Sequence, residues 1–189
     1  MDLALAQRCA AKLVEWLKPF CDRIEVAGSV RRGCRTCNDL DLVVIPRIEE
    51  QRDMFGEVVA RRNATWLEID RRITAEKWTV RCAGAEIVSW VAKGIQVDLF
   101  WATPENWGTL LMCRTGSKEH NIWLCNWAIA RGGKWHPNAG LYLNHKVYRV
   151  TEEEIYQALG LNPIEPSRRE AHLLPSAGLI RATQRTLEK

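Results

Sequence analysis

The chain has 189 residues, a formal net charge of +4 and 47% hydrophobic residues. With only 12 Gly and 7 Pro, the composition excludes a disordered or fibrous chain, and the length is sufficient for a well-buried core. The longest apolar runs are far shorter than the roughly 20 residues that a membrane helix needs. No secretory signal is recognisable, so we expect a cytoplasmic protein without a membrane partner.

The charge is unevenly distributed along the chain. Residues 1–100 contain 16 Lys and Arg against 15 Asp and Glu, whereas residues 101–189 contain 11 against 8 and all four histidines. This excess is too small to indicate a nucleic-acid partner by itself. The seven cysteines are an odd number, which favours reduced thiols in a cytosolic protein.

The first hundred residues predict an α+β layer in which helices pack on a mixed sheet. A helix is expected in the opening stretch LALAQRCAAKLVEWLKPF, where Pro19 ends it, and strands are expected at RIEVAG and DLDLVVIP. IEEQRDMFGEVVARR, residues 48–62, is interpreted as a second helix. Strands are then expected in the segments WTVRCAG, AEIVSWVAKG and IQVDLFWA.

The pattern changes near residue 102. A helix capped by Thr103 and a second helix starting at Ser117 are expected, followed by a hairpin-like stretch, GLYLNHKVYRV. Thr151 and Glu154 form a capping box for a last helix. We therefore expect a domain over 1–102, a small α+β lobe over 103–175, and a tail over 176–189.

The most informative stretch is GSVRRGCRTCNDLDLVV, residues 28–44. Gly28 and Ser29 end a strand in a turn whose backbone amides, with the nearby arginines, suit phosphate oxygens. Asp39 and Asp41 lie two residues apart at the start of an apolar strand, so both carboxylates project from one face of the sheet. Oxygen ligands of this type favour Mg²⁺ or Mn²⁺.

A third carboxylate, Asp98, lies inside the apolar strand IQVDLFW, where its negative charge is costly unless another group compensates it. Three strand-borne carboxylates near a phosphate-binding turn fit two-metal phosphoryl transfer. The alternative is structural: Asp39 and Asp41 flank a turn and pair with Arg31 or Arg32. Cys34 and Cys37 form a CxxC pair, but a zinc site needs two further ligands, and reduced thiols are the favoured interpretation.

The ordered motifs GSVRRG…NDLDLVV, IQVDLF and TPENWGTLLMCRTGSKEHN resemble family X DNA polymerases, and the closing GLY…TEEEIYQALGL…IEPSRRE resembles bacterial members. The resemblance covers roughly residues 1–170. It implies a catalytic palm followed by a nucleotide-selecting lobe. It also implies that Asp39 and Asp41 hold two Mg²⁺ ions, for which Mn²⁺ can substitute, and that Asp98 holds one and activates the primer 3′-hydroxyl.

The resemblance further implies contacts with nucleoside triphosphates and with primer-template or gapped DNA, and we expect a monomer. The residues implied to bind the nucleotide are Gly28, Ser29, Arg32, Asn38, Cys113, Arg114, Gly116, Ser117 and Asn121. Those expected to contact DNA are Lys118, His120, Trp123, Arg131 and Lys134. We expect neither the lyase nor the helix-hairpin-helix domain that family members often carry.

The sequence departs from the family pattern at several positions. Cys113 and Arg114 replace an aromatic pair that screens the sugar, so weaker discrimination against ribonucleotides is expected. Gln96 stands where an Arg is common, and Asn38 where a Gly is common. On the helix from Ser117, Trp123 replaces a basic residue, and core packing is its alternative role.

The expected reaction is DNA-directed addition of nucleotides to a primer 3′-end with release of pyrophosphate, in short-gap repair. A transferase that ignores a template, or that modifies RNA or a small acceptor, is an alternative, because the same carboxylates serve it. A catalytically idle nucleic-acid-binding module is a third.

Overall fold

The computed structural model describes residues 1–174, so the predicted tail over 176–189 lies outside the described residues. The α-helices of this part of the chain are α1 (Leu3–Leu17), α2 (Gly28–Arg31), α3 (Ala64–Glu76), α4 (Trp107–Thr115), α5 (Lys118–Ala130) and α6 (Glu152–Ala158). Short 3₁₀ helices are formed by Lys18–Phe20, Pro166–Arg168 and Ala171–Leu173.

The strands fall into three sheets. They are β1 (Cys21–Val26), β2 (Asp39–Pro46), β3 (Ile48–Arg52), β4 (Val58–Asn63), β5 (Thr79–Ala83), β6 (Ile87–Ala92), β7 (Ile95–Trp101), β8 (Lys134–His136), β9 (Gly140–Leu143) and β10 (Lys146–Tyr148).

The chain divides into two compact units. The first contains 1–30 and 35–102, and the second contains 103 onward together with the short segment 31–34. The division after Ala102 falls where the composition changes, but the segment 31–34 joins the second unit. No helix within residues 1–174 is long and apolar enough to cross a membrane.

The first unit is built on a five-stranded sheet in the order β1-β2-β7-β6-β5. β2 and β7 run parallel, and the other neighbours are antiparallel. The predicted strands and the predicted α+β class with a mixed sheet are confirmed. Apolar side chains on one face of the sheet, among them Leu40, Leu42, Val97 and Leu99, join the buried core. The opposite face of β2 and β7 is left for half-buried polar residues.

Helix α1 forms as predicted. The side chain of Asp2 caps its first turn by accepting a hydrogen bond from the Leu5 amide at 2.8 Å. The small side chains of Ala6 and Ala10 are buried on one side of the helix together with Leu17. Their helical spacing allows the backbone to pack closely on the core.

The helix predicted over residues 48–62 is wrong, because the segment forms the hairpin β3–β4. Asp53 determines the turn: its carboxylate accepts hydrogen bonds from the amides of Phe55 and Glu57. Gly56 follows with a φ of +85°. A short acceptor side chain followed by a residue with positive φ breaks helical backbone, and the hairpin has no buried face to favour a helix.

Helix α3 was missed by the sequence analysis. Asn63 caps it by accepting a hydrogen bond from the Trp66 amide at 2.9 Å. Ile69 and Ile73, four residues apart, are buried in the first unit's core, and Lys77 ends the helix in a left-handed conformation. The cap and the apolar spacing were present in the sequence, but were obscured by the wrong helix immediately before them.

The second unit has its own core, in which α5 and α6 pack with the three-stranded sheet β10-β9-β8. The helix predicted to start at Ser117 is confirmed, and Ser117 is its N-cap, since its hydroxyl accepts a hydrogen bond from the His120 amide. The predicted cap at Thr103 is wrong: α4 starts after Asn106, whose side chain accepts from the Thr103 amide across a preceding turn.

The capping box before α6 forms on one side only. The Thr151 hydroxyl accepts from the Glu154 amide as expected, but the Glu154 carboxylate accepts from the amides of Arg149 and Val150. The segment before α6 also lies against α4, where a side chain at Gly108 would meet the Thr151 backbone at 2.4 Å. Gly108 therefore permits this close approach.

Candidate active site

The three predicted aspartates lie on two neighbouring strands of the first unit. In the parallel ladder between β2 and β7, Asp41 is directly opposite Asp98, and Asp39 is opposite Gln96. Residues opposite each other project from the same face, and Asp39 shares that face because it lies two positions from Asp41. The three aspartates and Gln96 are half-buried, whereas Leu40 and Val97, which lie between them on the two strands, are buried. The sheet thus presents three carboxylates on one face.

Asp98 is held by two uncharged donors. The Ser89 hydroxyl, on β6 opposite Asp98, donates to its Oδ1 at 2.5 Å. The amide of Gln96 donates to Oδ1 and Oδ2, both at 3.1 Å. These hydrogen bonds supply the compensation that a carboxylate within an apolar strand requires. They also fix its orientation, with Oδ2 the less occupied oxygen.

The turn after β1 lies against Asp41. Gly28 has a φ of +58°, and a β-carbon placed on it would lie 1.9 Å from Asp41 Oδ2. The backbone of the turn therefore approaches the carboxylate at a distance that only glycine permits. The hydroxyl of the next residue, Ser29, is buried without a hydrogen-bond partner, whereas Asn38, before β2, is exposed. The turn thus holds one unsatisfied hydroxyl.

The aspartates do not surround one point in this conformation. Within residues 1–174, no group of three or more His, Cys, Asp or Glu side chains is placed to hold a metal ion. Cys34 and Cys37 do not belong to such a group either. The Cys34 thiol donates to Glu170, and Cys37 is buried in the first unit. The donor set of the aspartates nevertheless fits Mg²⁺, which prefers carboxylate oxygens.

In the second unit, two arginines hold the turn 115–117. Arg31 donates to the Thr115 hydroxyl at 2.7 Å and makes a two-point ion pair with Glu152 at 2.6 and 3.0 Å. Arg32 donates to the Thr115 carbonyl and to Glu170 at 2.8 Å.

The same turn is held from the C-terminal side by Arg169. Its guanidinium is 2% exposed and donates to Glu152 at 2.7 Å, while its carbonyl accepts from the Ser117 hydroxyl at 2.7 Å. Although burial would raise the pKa of Glu152, its two arginine partners, Arg31 and Arg169, hold that pKa below its ordinary value. The charge-assisted network makes Thr115-Gly116-Ser117 a braced segment.

Two predicted nucleotide-binding residues contact each other beside this turn. The Asn121 amide donates to the Cys113 carbonyl at 2.8 Å, and its Oδ1 is buried without a partner. Burial raises the pKa of the Cys113 thiol, so it is an uncharged, half-buried group. Arg114 is half-buried, and Gly116 is buried with a φ of +68°.

Residues 110–170 match the family model for the DNA polymerase beta thumb. The polymerase beta of Leishmania infantum, solved as a ternary P/T complex, aligns with 90% of this chain and 76% of its own, with a TM-score of 0.68 and 18% identity. At this identity the structural likeness shows the fold alone, a mixed α+β fold similar to that of polymerase beta. No curated protein sequence matches the chain.

The residues expected to contact DNA differ in accessibility. Lys118 and Lys134 are exposed, and Arg131 is half-buried with its guanidinium 4.3 Å from the ring centre of Trp127. His120 is fully buried and shares a hydrogen bond of 2.7 Å with Tyr156.

The DNA contact predicted for His120 is therefore wrong. Burial lowers its pKa to about 4, so the ring is a neutral core group. Trp123 is also buried in the second unit's core, where its ring meets Trp127 edge to face. This position corrects the expectation that Trp123 stacks on bases, and packing was its stated alternative.

Sequence reasoning missed the side chains that position the candidate residues. Ser89 donates to Asp98 on the next strand, whereas Glu152, Arg169 and Glu170 act through hydrogen bonds with residues far along the chain. Gln96 was noticed only as a replacement for arginine, and its donation to Asp98 was not foreseen. For Ser89 the strand pattern offered a signal, because pairing β6 with β7 places it opposite Asp98.

Proposed function

We propose that this protein is a nucleotidyltransferase that adds nucleotides to a primer 3′-end, directed by a DNA template, and releases pyrophosphate in short-gap repair. The observation that carries the proposal is the pairing of Asp41 with Asp98 on adjacent parallel strands, with Asp39 on the same face. The polymerase beta fold and the match to the thumb model support the same activity.

Asp39, Asp41 and Asp98 would hold Mg²⁺, because their oxygen donors suit this hard cation. The bound ions would supply electrostatic stabilisation of the phosphoryl group and of the leaving pyrophosphate. No other metal-ligating residue type is needed.

The protein's own groups orient Asp98 for proton transfer. Its Oδ1 accepts hydrogen bonds from Ser89 and Gln96, whereas Oδ2 accepts only from Gln96. Oδ2 is therefore the oxygen at which the proton of a primer 3′-hydroxyl would be received.

Each unit contains candidate nucleotide-binding residues. In the first unit, the buried, unpartnered hydroxyl of Ser29 and the glycine turn at Gly28 suit phosphate oxygens. In the second, Asn121 offers an unsatisfied Oδ1 beside the braced turn 115–117. Arg32 would also contact the nucleotide, in exchange for its ion pair with Glu170.

Primer extension tests this function. The wild type, Asp39→Ala and Asp98→Ala are compared on gapped, blunt and single-stranded primers, each with single nucleotides and Mg²⁺. Loss of either carboxylate should reduce incorporation by about a hundredfold or more. Asp70→Ala, which removes an exposed carboxylate of α3, should retain wild-type activity. Undiminished incorporation by Asp98→Ala would overturn the assignment.

A second candidate is a catalytically idle nucleic-acid-binding module. The observation that favours it is that no group of metal-ligating side chains is assembled within residues 1–174. The same assay separates the two, since an idle module would bind DNA with no Mg²⁺-dependent turnover. Extension without a template would instead identify a template-independent transferase.

A further inference from the structure

The region from His120 to Val150 contains no acidic residue. It contains four Lys or Arg residues and three histidines, whereas the protein as a whole has 27 Lys and Arg against 23 Asp and Glu. The basic excess of the protein is therefore concentrated in this stretch, which ends in the sheet β8–β10. A surface without neutralising carboxylates suits a polyanion.

The register of this sheet separates its two faces. Lys134 on β8 is opposite Tyr142 on β9, which is opposite Val147 on β10. This row is exposed to solvent, with Tyr142 44% and Val147 43% accessible. The adjacent row packs towards the second unit's core, where Leu141 is fully buried. The outward face thus combines a cation with an accessible aromatic ring.

A surface cavity of about 630 Å³ lies at the end of this sheet, beside the turn between β9 and β10. Lys134 and Tyr142 line it, and the turn between β9 and β10 contributes Asn144, His145 and Lys146. Asn144 and His145 have φ values of +50° and +60°, which turn the chain tightly and place Lys146 at the start of β10. Among residues 1–174, no Asp or Glu lines the cavity.

We propose that this cavity, with Lys134, Tyr142 and Lys146, binds a single-stranded segment of nucleic acid. The two lysines would contact phosphates, while Tyr142 would stack on a base. Its volume lies within the range of small-ligand pockets, which corresponds to about one nucleotide. A single strand is favoured over a duplex because stacking on Tyr142 requires a base outside a base-paired helix.

This proposal rests on the proposed function in one respect: it takes nucleic acid as the partner that the cavity binds. It does not require the carboxylates or the incoming nucleotide. Binding is therefore measured in EDTA and without nucleoside triphosphates, by fluorescence anisotropy with a labelled oligo-dT strand. A labelled hairpin duplex of equal length is the parallel probe.

Tyr142→Ala should weaken binding of the single strand by roughly tenfold, whereas Tyr142→Phe, which retains the ring, should bind as the wild type does. Replacing both Lys134 and Lys146 by Ala should lower the slope of log affinity against log salt by about 1.4, since each phosphate contact contributes about 0.7 on single strands. Lys12→Ala, an exposed lysine of α1, should leave the slope unchanged.

Three results would overturn the inference: a wild type that does not bind the single strand, a Tyr142→Ala variant that binds it normally, or equal losses on the single strand and the duplex. Primer extension by the wild type is measured in parallel. If the wild type extends primers but the cavity variants bind the single strand as the wild type does, only the proposed role of the cavity is refuted. If the wild type binds the single strand but extends no primer, only the proposed catalysis is refuted.

Discussion

Replacing Gly28 by alanine provides a direct test of the carboxylate site. The added β-carbon would lie 1.9 Å from Asp41 Oδ2 and 2.8 Å from its Cγ. Real β-carbons essentially never have contacts under 3.0 Å, so the two atoms must separate by at least 1.1 Å. The obstacle is a carboxylate that the proposed reaction needs in a fixed position.

Gly28→Ala should therefore have two separable effects. The φ of +58° should cost about 1 kcal/mol of unfolding free energy, because left-handed backbone is unfavourable for alanine. Moving Asp41 by about 1 Å should lower kcat by about a hundredfold, the usual effect of such a displacement in an active site. The loss of activity should thus exceed the loss of stability.

Gly33→Ala is the matched control. Gly33 also has a positive φ, +72°, but a β-carbon there would meet nothing within 4 Å. Urea unfolding should give similar destabilisation for both variants, and primer extension should be impaired only in Gly28→Ala. Equal extension rates for the two folded variants would refute the argument that Asp41 must keep its position.

The remaining predictions concern the surroundings of the site. Gln96→Leu removes two hydrogen bonds to Asp98 and should slow primer extension by about tenfold, while Gln96→Arg, which retains donors, should be close to wild type. His120 has a folded pKa of about 4 against an ordinary value of 6.5, so its contribution to stability is complete above pH 6.5 and is lost as the pH falls towards 4. The full loss in the free energy of unfolding amounts to about 3 kcal/mol. Between pH 7 and pH 5, the unfolding free energy of His120→Phe, measured with urea, should therefore change less than that of the wild type. With Cys113 in place of an aromatic side chain, deoxyribonucleotides and ribonucleotides should be incorporated at comparable rates, and a preference of several orders of magnitude for the deoxy form would contradict this.

Much of the site's local chemistry could be predicted from the sequence because it depends on strand periodicity. The two-residue spacing of Asp39 and Asp41 places them on one face whichever strand lies beside them. The cap at Ser117 is equally local, since donor and acceptor are three residues apart. Apolar alternation likewise identified the strands of the main sheet.

The sequence by itself determined which strands carry the carboxylates, but only the tertiary structure decided what surrounds them. Pairing β6 with β7 brings Ser89 opposite Asp98, a contact that depends on the register between these two strands. Similarly, helical spacing leaves open which face of α5 is buried, so the burial of His120 depends on α6 and its Tyr156. Short-range hydrogen bonding and periodicity act within a few residues, whereas burial and ion pairing depend on segments that meet only when the chain folds.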